Sequence, residues 1–408
     1  VLSRCKGWWI PLLVGALVLS GVVPHPPARA DGERLVLAFY YAWYDQKTWK
    51  SGRVPDVPAE PYVSANRSAI TRHVDQARGA GIDALVLNWW GRGNPTEKNL
   101  KTLLDVASQK GLRVAVDFDI NSPFMKPATY AEHLHYLHTT HAAHPAYLRW
   151  QGRPVVFFYN VSRLSVATWR ALRNQADPER KALWIAEGTD LKYLSVFDGH
   201  HLYSVAWRNN IPPAQTLSSW GKKLRKYNRE HGTDKLWVAT VMPGYDDRKA
   251  RAGGFIVPRN GGAYYRNCWQ AAIDSRPDWV IVNSFNEWPE GTYVEPSQAH
   301  GSFYLDLTRE WAARFKAAEF AADAVQPAST PTRIARPTPQ PTLRPTPIPT
   351  PTPPPRPPVR LLPYPPDAVR GYLAQGCGYV LADMGAESVW IVLCPFYTSP
   401  DAVPLLVR

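Results

Sequence analysis

About eight times between Leu35 and Ala318, a short run of β-branched, leucine and aromatic residues is followed by a longer stretch with apolar residues at helical spacing. The strand candidates are LVLAFYYAWY from Leu35, ALVLNWW from Ala84, RVAVDFDI from Arg113 and PVVFFY from Pro154. They continue with ALWIAE from Ala182, HLYSVAW from His201, KLWVATVM from Lys235 and WVIVNSFNEW from Trp279. Among the helical stretches, ITRHVDQARGAG sets Ile70, Val74 and Ala77 on one face and stops at Gly79 and Gly81. Strand, helix and strand in turn mean parallel pairing, because each helix returns the chain to the end from which the next strand starts. Repeated about eight times, the unit predicts an α/β fold of the closed (β/α)8 TIM-barrel type. An open doubly wound sheet is the alternative, but no glycine-rich phosphate loop is visible.

Both flanks break the pattern. Arg4 and Lys6, the apolar stretch Trp8 to Val23 and the small-x-small Ala28-Arg29-Ala30 read as a signal peptide over 1–30, cleaved before Asp31. Pro11 and Gly15 interrupt the stretch, and it is shorter than the roughly 20 residues of a spanning helix, so no membrane span is expected after cleavage and a secreted or cell-surface location is. The barrel segment is 31–325, and from 326 to 358 the chain becomes a Pro/Thr tract that predicts an extended linker. A small C-terminal module over 359–408 follows, with strand-like runs and with Cys377 and Cys394 placed to form a disulfide. The net charge is +13, but the basic residues are dispersed, so nucleic acid is not an expected partner. The histidines of HLHYLHTTHAAH read as a solvated helix face, and no metal-ligand spacing appears.

In a barrel of this type the chemistry sits at the C-terminal ends of the strands. Those ends carry Tyr40, Tyr41 and Trp43, then Asn88, Trp89 and Trp90, then Asp117 and Asp119. Later come Glu187, Tyr203 and Trp207, Tyr245 and Asp246, and finally Asn286, Glu287, Trp288 and Glu290. Carboxylates ringed by tryptophan and tyrosine suit a sugar, whose C–H faces stack on aromatic rings while its hydroxyls need polar partners. Strand-end tryptophans also pack under loops, and the scattered aromatics are open to either role. Glycoside cleavage needs two carboxyl groups with different tasks, and Glu287 and Glu290 supply such a pair. Pro289 biases Trp288 away from helical geometry, so the pair is expected on an irregular turn.

FYYAWY (Phe39 to Tyr44), GIDALVLNWWGRG (Gly81 to Gly93), MPGYDDR (Met242 to Arg248) and SFNEWPEGTYVEP (Ser284 to Pro296) together resemble glycoside hydrolase family 99, which includes endo-α-1,2-mannosidases and related mannan-cleaving enzymes. The resemblance implies a (β/α)8 barrel and retaining hydrolysis of an α-mannosidic or similar bond, with a glycan substrate and no metal or organic cofactor. It implies Glu287 as the base that assists the sugar 2-hydroxyl in attacking the anomeric carbon, through an epoxide-like intermediate, and Glu290 as the acid/base. Asn286 would orient the substrate and Tyr41 and Tyr245 would line the site, with Trp43, Trp89, Trp90, Tyr203, Asp246 and Trp288 as further substrate-binding candidates. The family usually has His where this chain has Pro289, which puts the substrate in question more than the reaction class. Cleavage of another α-glycan, or glycan binding without turnover, are the competing readings.

Overall fold

The computed structural model describes residues 33–206 and 211–320 and, further on, the backbone of three strands. The proposed leader, Trp207, the Pro/Thr tract and both C-terminal cysteines lie outside the described residues. The chain divides into two compact units, 1–324 and 325–408.

In the first unit eight parallel strands close on themselves: β1 (Leu35–Tyr40), β2 (Ala84–Trp89), β3 (Arg113–Asp119), β4 (Arg153–Tyr159), β5 (Leu183–Glu187), β6 (Gly199–His201), β7 (Leu236–Val241) and β8 (Trp279–Val282). Each pairs with the next, and β8 returns to β1 in register from Leu35 with Trp279 to Ala38 with Val282. The fold is therefore a (β/α)8 TIM barrel. Its helices are α1 (Arg67–Gly79), α2 (Pro95–Lys110), α3 (Tyr130–Tyr136), α4 (Val166–Ala176), α5 (Pro213–His231), α6 (Ala263–Asp274) and α7 (Phe303–Ala317), with a 3-10 turn at Leu191–Ser195 between β5 and β6. The three C-terminal strands, β9 (Gly378–Asp383), β10 (Ser388–Leu393) and β11 (Leu405–Val407), form an antiparallel sheet in that order.

The strands read as near-continuous apolar runs because both of their faces are buried. Leu35, Leu37, Phe39, Val86, Phe157, Ile185, Val238 and Ile281 fill the barrel interior. The alternate residues, such as Val36, Leu85, Val116, Trp184 and Val280, pack outward with Ile70, Val74, Leu103 and Phe315 of the helices. All eight expected strands are present, but the sixth lies upstream of its expected span: it ends at His201, where HLYSVAW begins. Its first position favours glycine, since a Cβ at Gly199 would lie 2.9 Å from Leu236 Cβ and 3.1 Å from Leu236 O on the neighbouring strand. That preference, and the two histidines after it, hide the strand from a search for apolar runs. The histidine-rich stretch departs from the solvated face expected of it: His141 is buried, with Nε2 3.5 Å from Glu97 Oε1, while His135 is exposed.

Candidate active site

Alternation along each strand decides which side chains reach the C-terminal mouth. On β2, Ala84 and Val86 point inward, so Asn88 faces the mouth, where its Nδ2 donates to Asp117 at 3.2 Å and to Asp119 at 3.4 Å. Trp89 has the opposite parity. It is 0% exposed and packs between the barrel and the helices against Phe118, His133 and His141. Its candidacy as a sugar-binding residue is corrected accordingly. Burial raises Asp117 well above the usual carboxylate range, with the nearby Asp119 adding to the effect. At the end of β5, Glu187 accepts from the Asn160 amide at 2.9 Å, and burial pushes its carboxyl up to about 7.

The segment leaving β8 is an irregular turn, as Pro289 predicts. Ser284 and Thr292 close it from opposite sides, with 2.9 Å between their hydroxyls, and Ser284 Oγ accepts the Glu287 amide at 2.6 Å. Asn286 and Trp288 lie behind it rather than in the cleft. The Asn286 amide accepts from Tyr41 N at 2.7 Å and donates to Tyr41 O at 2.9 Å, which pins the end of β1 to the turn. Trp288 is wholly buried, stacks on Tyr293 at 3.9 Å and donates to Glu295 at 3.1 Å. Glu295 also accepts from Tyr62 at 3.0 Å and faces His73 Nε2 at 3.0 Å, and His73 Nδ1 is 3.0 Å from the Tyr40 hydroxyl. Asn286 and Trp288 thus shape the turn and have no free face for a substrate.

The two glutamates flanking Trp288 share one cleft but differ in their partners. Glu287 is 6% exposed, and its Oε2 has no hydrogen-bond partner among the described residues. Burial, reinforced by the negative charge of Glu290, holds its carboxyl well above the usual range. Glu290 is also raised by burial, but the Arg251 guanidinium opposes this from 2.5 Å. The other Glu290 oxygen faces the Tyr203 hydroxyl at 3.4 Å, and Tyr203 meets the Tyr41 hydroxyl at 2.8 Å. Tyr245 stacks on Phe255 and donates to Asp247 at 2.8 Å, beside the same glutamate. Asp246 donates its backbone N–H to Glu290 O at 2.8 Å, while its carboxylate is clamped by Arg248 at 2.8 and 2.9 Å.

From Tyr41 an aromatic wall runs outward. Trp43 lies 4.9 Å from Tyr41, Trp90 stacks on Trp43 at 4.7 Å and 24°, and Phe124 stacks on Trp90 at 5.8 Å and 26°. Phe124 is 52% exposed, which leaves the outer end of the wall open. Such a surface can stack on successive sugar faces.

Over residues 54–317 the sequence matches the model of Glycosyl hydrolase family 99. The chain belongs to this family. The family-99 barrel is similar to the solved GH99 endo-alpha-mannosidase from Bacteroides thetaiotaomicron, at 25% identity and TM-score 0.61, covering 72% of this chain and 99% of that one. The glycoprotein endo-alpha-1,2-mannosidase-like protein of Mus musculus is 28% identical over 295 residues, 62% of this chain, and the chain spans 64% of that relative's length. The glycoprotein endo-alpha-1,2-mannosidase of Rattus norvegicus is 25% identical over 376 residues, 72% of this chain and 80% of that protein.

Within the family-99 barrel, sequence reasoning overlooked Arg251, Asp247, Tyr159 and Phe124. Arg251 stands three residues beyond the recognised MPGYDDR motif. Phe124 sits in a loop with no periodicity to mark it. No helix among the described residues is long and apolar enough to cross a membrane. Among the same residues no cluster of His, Cys, Asp and Glu side chains is arranged to hold a metal ion.

Proposed function

We propose that the protein is an exported glycoside hydrolase that cleaves internal α-mannosidic bonds of an α-1,2-mannan-like glycan with retention of configuration. The observation that carries this reading is the pairing of Glu287 and Glu290 in one cleft with unequal surroundings, one oxygen of Glu287 without a hydrogen-bond partner among the described residues and Glu290 against Arg251 and Tyr203. Two carboxyl groups in one cleft suit the two tasks of glycoside cleavage, and the family resemblance assigns Glu287 as the base and Glu290 as the acid, although burial favours the proton on Glu287 and Arg251 opposes it on Glu290. Glu287 takes the proton of the 2-hydroxyl as O2 closes on the anomeric carbon, and the bond from that carbon to the leaving oxygen breaks as Glu290 protonates it. Water then opens the resulting 1,2-anhydro sugar, giving a proton to Glu290, while Glu287 returns its own to O2. Two inversions give net retention. An axial O2 opposite an axial leaving group is what this route requires, and an α-mannoside has both; an α-glucoside has O2 on the wrong side. The names of the relatives support the same sugar. Tyr41, Trp43 and Trp90 line the approach, with Phe124 beyond them.

The test is sugar release from α-1,2-linked mannan by the full-length protein, beside Glu287→Gln and Glu290→Gln. Release by the parent, with the α-anomer appearing first by NMR, and losses of about 10²- to 10⁴-fold in each variant are expected. Cleavage of another α-glycan but not of mannan would reject the substrate. Binding of mannan with no release from any glycan would reject the enzymatic reading. Recovery of the secreted protein with Asp31 at its N-terminus would support export.

A further inference from the structure

Glu290, which the reading above makes a proton donor, has a cation on it. Arg251 Nη2 lies 2.5 Å from Glu290 Oε1, and the opposite oxygen has only the long 3.4 Å contact from Tyr203. A proton on a carboxyl in contact with a guanidinium is disfavoured, and Oε1 is engaged, so in this arrangement Glu290 is poorly placed to protonate a leaving group. The two partners differ in exposure, and the arginine is the one with space around it. The Arg251 side chain is 54% exposed and the Glu290 side chain 13%.

Arg251 also has a second anchor. Its Nε lies 3.1 Å from Asp247, a buried carboxylate that is itself fixed by the Phe255 amide at 2.7 Å and the Tyr245 hydroxyl at 2.8 Å. The turn holding this anchor is tightly built, since a Cβ at Gly254 would come within 2.7 Å of the Asp247 and Arg248 backbone. The guanidinium can therefore swing off Glu290 without losing its ion pair to Asp247.

We propose that Arg251 is a positioning residue that serves as the counter-ion of Glu290 and withdraws from it, pivoting on Asp247, when a glycan binds. This rests on Glu290 being the proton donor. Among the described residues, the charged and titratable groups facing Glu290 include Arg251, Asp247, Glu287, Tyr41, Tyr159, Tyr203 and Tyr245. Arg251 is the cation of this set, so its withdrawal removes the positive charge in contact with Glu290.

Two measurements on the full chain test the idea. The first is a ¹³C-carboxyl titration of Glu290 in a Glu287→Gln background, which removes the coupled neighbour, with the signal assigned by its loss in Glu287→Gln/Glu290→Gln. Adding Arg251→Gln to that background is expected to raise the Glu290 midpoint by about one pH unit, and α-1,2-mannotetraose to raise it similarly only while Arg251 is present. An unchanged midpoint in Arg251→Gln overturns the proposal whatever the sugar does, whereas failure of the tetraose to bind counts against the mannan reading.

The second is the pH profile of turnover. kcat/KM reports the free enzyme and kcat the complex. In Arg251→Gln the alkaline limb of kcat/KM is expected to move up by about one unit while that of kcat stays put, and Arg251→Lys should restore the parental profile. Equal displacement of both limbs, or of neither, overturns withdrawal; a uniform fall in rate with unchanged limbs would reduce Arg251 to a structural residue.

Discussion

Glu187 offers a test that needs no substrate. Its carboxyl is pushed from 4.5 to about 7 by burial, and the Asn160 and Tyr203 amides only partly offset that. The folded protein therefore binds this proton more tightly than the unfolded chain, and stability falls as pH rises from about 4.5 through about 7, the loss being complete above that. At about 1.36 kcal/mol per pH unit the full effect is about 3 kcal/mol. The residue is only partly buried, and solvent screening reduces this to about 2 kcal/mol. Glu187→Gln keeps an acceptor for the Asn160 amide and removes the ionisation. The variant should thus match the parent within about 1 kcal/mol at pH 5 and exceed it by about 2 kcal/mol at pH 8.

Thermal unfolding of both proteins at pH 5, 6, 7 and 8 reads the difference. About 2 kcal/mol corresponds to roughly 4 °C or more in a domain of this size. The informative quantity is the gap between the two proteins at each pH, because titrating groups that do not interact with Glu187 contribute equally to both, leaving its neighbours Asp117 and Tyr159 as the ones that also respond. Parallel curves across the four pH values would refute the argument, and a gap that grew toward acid would reverse its sign.

Trp89→Ala should cost about 3–5 kcal/mol of stability, since it empties a fully buried site between barrel and helices, yet leave KM for glycans unchanged in the protein that remains folded; a raised KM with intact stability would return Trp89 to the cleft. His73→Phe strips a buried partner from Glu295, whose pair has side-chain exposures of 0% and 2%, and should cost about 3–5 kcal/mol, with much of that recovered in the double variant with Glu295→Gln. A cost under about 1 kcal/mol in denaturant titration would show that Glu295 is held by Tyr62 and Trp288 without the imidazole.

The barrel was legible because its strands are buried on both faces and so leave apolar runs in the sequence; β6 was misplaced because Gly199, His200 and His201 leave none. That Glu287 and Glu290 share one cleft was legible because the two lie three residues apart beside a proline, which constrains the backbone locally. The roles of their neighbours were not. Asn286 and Trp288 stand in the same motif, yet their partners are Tyr41, Glu295 and Tyr293, and only the fold brings Tyr41 to Asn286 across 245 residues. Trp89 and Trp90 are adjacent and chemically alike; strand parity alone sends the first into the helical layer and leaves the second on the wall with Trp43. Arg251 reaches Glu290 across 39 residues, and an exposed arginine in a loop carries no mark of its partner.

Buried polar atoms without a hydrogen-bond partner among the described residues occur in several parts of the barrel, Trp184 Nε1 and Trp279 Nε1 among them, and at its mouth they include a group of oxygens. Asn88 Oδ1, Asp117 Oδ1, Asn283 Oδ1 and Glu287 Oε2 are buried there without a partner among the described residues. The Asn88 and Asn283 amide nitrogens already donate, to Asp117 and to the Tyr203 carbonyl, so their oxygens are left to accept. Burial and the adjacent Asp119 keep Asp117 protonated far above the usual carboxylate range, which makes it a donor as well as an acceptor. Each such group costs about 1–3 kcal/mol when unpaired, and an apolar side chain of the same shape would be the more stable choice. Retaining several of them around Glu287 is therefore uneconomical for folding and sensible for recognition, because a sugar hydroxyl both donates and accepts and can satisfy each. The aromatic wall of Trp43 and Trp90 stands to one side of these polar atoms, an arrangement that suits a ring with C–H faces and hydroxyl edges.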